Sequence, residues 1–555
     1  MLRLLLLCSC IVFIGTSPLH KEHFTLHVGH VNDFHARFDE TNNYGGSCKS
    51  KKCIGGFSRL YSELIKLKKN DPNVILLNAG DNFQGTFYYS FYKWNITQHF
   101  MNKIPFDAYT LGNHEFDDEI KGVVPFIQSL KAPTVVSNID DSLEPTFQHI
   151  YTKSVVIERN GKKIGIIGVT TDTLPSIAKS GKLKLQDESE SVNKEAKRLV
   201  EVEKVFTIIV LSHCGFDHDQ RIAKNAPEKV SLIVGGHTHT FLYSGATKLG
   251  PDEVQGPYPT VVKRKDGKSV LITQASAFCK YYGNITVSYD KFGEMVKWDG
   301  APVFLDTTVP QSQEINKELD AWRAGLVAIG QKVLGSTTKL MNNEECYYKE
   351  CTLGNIITDA YIHYYSNKNT SYPLIAAVNA GGIRSTIPAG NITYEDIITI
   401  RPFGDDIYIS EIQGNFIKEM LEATTIIYDF SVGKSSIRLL QVSGLKYVIN
   451  MLNSEGSRVI SVKVLCNNCS IPKYEDLDYN KTYRIILSSF LVFGGDNYIK
   501  MRTHLKNSIV GDNEIDVLTK YLMDKSPLSP KEEGRVNVIG LEEAIKTRKE
   551  KHKII

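Results

Sequence analysis

From Phe24 to about residue 300, short apolar runs rich in Val, Ile and Leu alternate with stretches in which apolar residues return every third or fourth position. The first kind predicts buried strands and the second amphipathic helices, as over residues 58–69 and 192–204. Such alternation is the signature of a layered α/β domain, placed here at residues 24–309. The pattern then changes. Residues 310–332 open on Pro310 and polar residues, then run Ile315, Leu319, Trp322, Leu326 and Ile329, an amphipathic spacing with no strand signal. The segment 310–335 therefore predicts a helix linking two domains. Strand-like runs return at 374–378, 407–412, 439–448 and 483–487, so a second α/β domain is expected over 336–540. A chain of 555 residues is too long for one core, which agrees with this division.

Five apolar runs of the first half end in residues that bind divalent metal well. Asp33 and His35 follow the first, and Asp81 closes Val74-Ile-Leu-Leu-Asn-Ala-Gly-Asp81. Asn113, His114 and Asp117 lie in Leu111-Gly-Asn-His-Glu-Phe-Asp117. His213 ends Ile208-Ile-Val-Leu-Ser-His213, and His237 and His239 end Leu232-Ile-Val-Gly-Gly-His-Thr-His239. In an open α/β sheet, ligands bind beyond the carboxyl ends of the strands, so these residues should meet in one crevice. Any one of them alone is more simply a turn residue or a helix cap; the argument lies in the repetition. Carboxylate, imidazole and amide groups at that density suit two divalent metals sharing an Asp, a pair that can activate water and hold a phosphate. The chain reads as a metal-dependent phosphoester or phosphoanhydride hydrolase.

If Asn113 ends a strand and a helix starts after it, His114 and Asp117 stand at i and i+3 on one face. Asp117 would then accept from His114 and raise its basicity, leaving a protonated imidazole to stabilise a phosphoryl oxygen. In the second half, Asn379-Ala-Gly-Gly-Ile-Arg384 pairs glycines that admit a ligand close to the backbone with an Arg that presents a fork to phosphate. Phe403 and Phe490 sit beside glycine-bearing turns, where two aromatics could sandwich a nucleobase.

Hydrophobic content of 42% is ordinary for a globular chain, and a formal charge of +3 gives no reason to expect nucleic acid as a partner. The basic tail, 541–555, reads as a solvated terminus. At the other end, Arg3 precedes an apolar run over residues 4–14 and the small Gly15-Thr16-Ser17, as in a secretory signal peptide over 1–17. That run is short of the roughly 20 residues a membrane span needs. No membrane anchor is expected at the C-terminus, and the protein is expected to be secreted and extracellular. Eight cysteines remain after the signal. Cys48/Cys53, Cys346/Cys351 and Cys466/Cys469 are spaced to close small disulfide loops, whereas Cys214 and Cys279 are open to pairing or to standing free. Sequons at Asn95, Asn284, Asn369, Asn391, Asn468 and Asn480 suit glycosylation in secretion, with Asn468, between two cysteines, the least suited.

The segments N-D-F-H, A-G-D-N-F-Q-G-T, L-G-N-H-E-F-D and G-G-H-T-H-T-F-L-Y, with A-G-G-I-R, R-P-F-G and F-G-G-D in the second half, resemble the 5′-nucleotidase family. That family includes ecto-5′-nucleotidases, periplasmic nucleotidases and secreted salivary apyrases of blood-feeding arthropods. The resemblance spans about residues 24 to 540. It implies a metallophosphatase-type first domain and a nucleotide-binding second domain. It also implies two divalent ions, usually zinc, although the residues would equally take calcium, magnesium or manganese. One ion would be held by Asp33, His35, Asp81 and His239, the other by Asp81, Asn113, His213 and His237. Other members carry Gln or Asn where this chain has His239. His114 and Asp117 match the catalytic dyad. Asn379, Arg384, Phe403, Phe490 and Asp496 match nucleotide-site positions, with the two Phe clamping the base. In the family the second domain rotates to bring the nucleotide to the metals.

Two departures stand out. Ecto-5′-nucleotidases place an Arg directly after the first Cys of the C-x₄-C loop, where this chain has Tyr347. They place another shortly after A-G-G-I-R, where this chain reads Ile387-Pro-Ala-Gly390. Two of three arginines that grip a monophosphate are thus absent, and Lys349 and Arg401 are the candidates to compensate. The expected activity is hydrolysis of the terminal phosphate of extracellular ATP and ADP, with saliva as the expected site and suppression of platelet aggregation as the consequence. The enzymatic alternative is a 5′-nucleotidase acting on AMP. The alternative of another class is a protein that sequesters nucleotides or binds a platelet-surface target.

Overall fold

The computed structural model describes residues 23–48, 52–366, 373–427, 437–466, 469 and 471–554. The expected signal peptide and the sequons at Asn369 and Asn468 lie outside them. The first domain is built on two sheets rather than one. One has the order Met295–Phe304, Tyr281–Tyr289, Phe24–Val31, Ile75–Asn78, Ala108–Tyr109. The other runs Thr260–Lys263, Ser269–Thr273, Val230–Val234, Thr207–His213, Lys162–Thr170, Ser154–Arg159. Within each sheet the central strands are parallel. Leu26, Val28, Ile75 and Leu77 of the first sheet pack with Ile166, Ile209, Val210 and Leu232 of the second in one core. Strands buried on both faces explain the continuous apolar runs. Helices Phe57–Asn70 and Glu188–Arg198 stand close to their expected bounds.

The helix Gln313–Gly330, capped by the Ser312 side chain, follows. Ile315, Leu319 and Leu326 are buried, whereas Ile329 is 47% exposed and does not continue the stripe. The second domain has a five-stranded sheet, Leu440–Ser443, Leu374–Asn379, Thr482–Ser488, Asp406–Gln413, Lys506–Asn513, and a four-stranded one that includes Leu445–Asn450 and Val536–Ile539. The single strand expected over 439–448 is in fact two, one in each sheet. Gly444, at φ 72°, turns the chain between them, and a Cβ there would lie 2.2 Å from the Leu374 carbonyl oxygen. The basic tail is helical from Leu541 to Ile554; Leu541, Ala544 and Ile545 are buried on the second domain's core, and Arg548 pairs with Glu455.

The disulfides Cys48–Cys53, Cys346–Cys351 and Cys466–Cys469 are formed, and Cys214 and Cys279 are free and buried. Asn95, Asn391 and Asn480 are exposed; Asn284 is half-buried on a strand, its Oδ1 2.7 Å from His27 Nε2. Among the described residues, no helix is long and apolar enough to cross a membrane.

Candidate active site

Both sheets of the first domain send the carboxyl ends of their parallel strands to one place. The turns there are unusual: Asp33, His35, Asp81, His237 and His239 all have φ between 50° and 78°. A left-handed residue other than Gly costs about 1–2 kcal/mol, and such conformers persist where the surroundings hold them, typically at functional sites. A backbone ladder between the loop at 33–36 and the loop at 80–82 holds Asp33, His35 and Asp81. Asp33 N donates to Gly80 O, His35 N to Asp81 O and Ala36 N to Asn82 O, at 3.1, 2.9 and 3.0 Å.

The side chains fall into two clusters, Asp33/His35/His239 and Asp81/His213/His237. His35 Nε2 is 3.0 Å from His239 Nε2 and 3.7 Å from Asp81 Oδ2. His213 Nε2 is 3.1 Å from the same Asp81 oxygen, so Asp81 faces both clusters. His239 Nε2 lies 3.3 Å from Asp33 Oδ1, and His237 N donates to both Asp33 oxygens at 3.1 Å. His213 Nδ1 donates to Ala79 O at 2.6 Å and His35 Nδ1 to Gln84 O at 3.1 Å. A carbonyl can only accept, so each ring carries its proton on Nδ1 and turns Nε2 inward as a donor atom for a cation. His213 Nε2 and Asn113 Oδ1 are buried without a hydrogen-bond partner. Orphaned lone pairs beside ionised carboxylates fit a divalent cation.

The electrostatics agree for His35 and His237 but not for His213: burial would lower it, yet the Asp81 carboxylate pushes its imidazole up to about 10, so its Nε2 offers a lone pair only when a cation takes the place of that proton. Burial, then the Arg384 charge, holds His35 well below the usual imidazole range, and burial with the His213 charge does the same for His237. Burial works against ionisation of Asp81, but the charges of His213 and His114 hold its carboxyl well below the usual range.

Asn113 does not end a strand. The strand Ala108–Tyr109 stops earlier, and His114–Phe116 is a single 3₁₀ turn with Asp117 at its end. The i, i+3 relation survives the change of helix type: His114 Nδ1 is 2.8 Å from Asp117 Oδ2, and His114 N donates to Asp81 Oδ1 at 2.9 Å. Burial would lower the His114 pKa, but Asp117 and Asp81 raise it.

The second domain reaches this crevice. Arg384 Nη2 is 3.5 Å from His35 Nε2, and the Phe403 ring stacks on His114 with centroids 5.8 Å apart. Asn379 Nδ2 donates to Asp496 Oδ2 at 2.7 Å. Phe490 packs instead over Gly495, where a Cβ would lie 2.5 Å from its ring. Both candidates for the absent arginines are engaged by carboxylates. Lys349 Nζ pairs with Glu345 and Glu532 at 3.1 and 3.3 Å, and Arg401 is fully buried with its Nε on Glu514 Oε2 at 2.7 Å.

One residue of consequence was missed in the sequence. Glu115 lies inside the Leu111–Asp117 motif without a role there, yet it is fully buried and accepts from the backbone N–H groups of Asp81, Asn82, Phe83 and Gly112 at 2.7–3.3 Å. It ties the Asp81 loop to the Asn113 loop. Its signal was its place between two ligand-type residues.

Comparison with known proteins agrees with this layout. Residues 26–241 match the model of the calcineurin-like phosphoesterases and residues 333–504 that of the 5′-nucleotidase C-terminal domain. An apyrase of Tabanus yao is 45% identical over 93% of this chain and 94% of its own length. An apyrase of Aedes albopictus is 40% identical over 86% of each chain. Among solved structures, a 5′-nucleotidase precursor from Thermus thermophilus superposes with a TM-score of 0.84 at 31% identity, over 93% of this chain and 99% of that one.

Proposed function

The chain belongs to the 5′-nucleotidase family, and from that premise we propose that it is a secreted apyrase, releasing the terminal phosphate of extracellular ATP and ADP. The observation that carries this reading is the convergence of Asp33, His35, Asp81, His213, His237 and His239, together with the buried Asn113 Oδ1 and His213 Nε2, neither of which has a hydrogen bond. Asp33, His35, Asp81 and His239 would hold one divalent ion, and Asp81, Asn113, His213 and His237 the second. When bound, such a pair supplies an activated water and neutralises charge on the phosphate.

The chain's own residues do the rest. His114, kept basic by Asp117, places a proton donor on the phosphoryl oxygen or the leaving oxygen. Arg384 adds a guanidinium over the same crevice. Asn379 and Asp496 give polar groups to the nucleotide site, and Phe403 and Phe490 receive the base. Loss of ADP at a wound would suppress platelet aggregation, the role that fits arthropod relatives named apyrases.

A second reading, a 5′-nucleotidase acting on AMP, is favoured by the superposition on a bacterial 5′-nucleotidase precursor. The deciding experiment is phosphate release from ATP, ADP and AMP by the purified protein, with zinc, manganese, magnesium or calcium supplied in turn. Release from ATP and ADP with little from AMP supports the apyrase. Dominant release from AMP supports the second reading. No release from any of the three overturns both and leaves a nucleotide- or platelet-binding protein.

A further inference from the structure

Tyr347 stands where ecto-5′-nucleotidases place a phosphate-gripping Arg, but the structure sets another arginine beside it. The Tyr347 carbonyl accepts from Leu439 N at 3.1 Å, and Leu439 O accepts from Ala380 N of the Asn379-Ala-Gly-Gly loop at 3.1 Å. The residue before Leu439 is Arg438. Its backbone is therefore fixed between the loop that lacks the arginine and the loop that carries Asn379 and Arg384. Its side chain is 31% exposed, and Nη1 lies 3.5 Å from Asp496 Oδ1, the carboxylate whose other oxygen accepts from Asn379.

Arg438 thus stands beside Asp496 and the Asn379 loop, whose Arg384 reaches the metal face at His35. A nucleotide lying on this loop with its terminal phosphate at the metals sets its inner phosphate along the loop. AMP has no inner phosphate, because its only phosphate is the reacting one. We propose that Arg438 is a specificity-determining residue that grips the inner phosphate of a nucleoside di- or triphosphate, taking over from a displaced position the anion-binding work of the arginine absent at Tyr347. This rests on the apyrase reading and names the residue that selects for it. An Arg fork suits the non-bridging oxygens of a phosphate better than a point charge does.

The test is steady-state kinetics of wild type, Arg438→Ala and Arg438→Lys on ADP, AMP and p-nitrophenyl phosphate, a small ester with no inner phosphate. A hydrogen bond to a charged group, when lost, weakens binding by about tenfold or more. For Arg438→Ala, KM for ADP should rise by about that factor with kcat changed less, and the ratio of kcat/KM on ADP to that on p-nitrophenyl phosphate should fall by about tenfold or more. Arg438→Lys should recover part of the ratio. Equal losses on all three substrates would mark a structural role and overturn the inference, as would an unchanged KM for ADP. Both results would leave the apyrase reading intact, whereas a wild type inactive on ADP would overturn that reading first.

Discussion

Gly112 offers a direct test of whether Asp81 is the shared ligand. Its φ is not in the left-handed region, so its backbone admits alanine; only space forbids it. A Cβ built there would lie 2.1 Å from Asp81 Oδ1, 2.7 Å from Asp81 Cγ and 2.7 Å from Asp81 N. That is about 1 Å short of any tolerable contact. Asp81 cannot swing clear cheaply, because the same Oδ1 accepts from His114 N at 2.9 Å and its own N donates to Glu115. The carboxylate must move by about 1 Å, whereas coordination distances hold to about 0.2 Å. Displacement of that size at a reacting centre costs about 10²-fold in rate.

Gly112→Ala is therefore expected to lose about 10²-fold or more in kcat/KM on the best substrate. It should also bind less than the two equivalents of metal expected of wild type, measured by elemental analysis after dialysis against limiting metal. Circular dichroism should show the protein folded. If Gly112→Ala turned over at the wild-type rate with full metal content, Asp81 would not be the group that joins the two clusters.

The Asp117 charge raises the His114 pKa, so a step needing protonated His114 is lost as pH rises through that pKa. Asp117→Asn should move this alkaline limb of the kcat profile to lower pH, and an unmoved limb would assign it to another group. Chelation should abolish phosphate release and lower the melting temperature, since metal at a hundredfold excess over Kd contributes about 2.7 kcal/mol; an unchanged melt and rate after verified metal removal would contradict a metal-dependent site. Gly444→Ala sets a left-handed residue other than Gly, about 1–2 kcal/mol, against the Leu374 carbonyl, so thermal unfolding should shift downward; a melt equal to wild type would refute the account of the sheet crossing.

Arg438 left no signal in the sequence and Glu115 only its place in a motif, because each has partners distant along the chain. Glu115 serves amides at 81–83 as well as its neighbour Gly112, and Arg438 is set by Asp496 and, through Leu439, by Tyr347. Lys349 and Arg401 were plausible substitutes by proximity to motifs, but only the fold showed the carboxylates that occupy them.

What the sequence alone determined was local in origin. Continuous apolar runs marked buried parallel strands, glycine-bearing turns marked where each strand ends, and ligand-type residues after those turns marked a crevice. The three short cysteine pairs were legible because a span of three to five residues leaves little choice of partner. Tertiary structure decided the rest: the division of the strands between two facing sheets, the break at Gly444, the 3₁₀ turn that replaces a strand end at Asn113, and the helical, docked tail. Those depend on pairings between segments tens to hundreds of residues apart. Strand register and domain contact arise from packing and hydrogen bonding across that distance, and local periodicity, which reports only which face a segment buries, carries no record of which segment it will face.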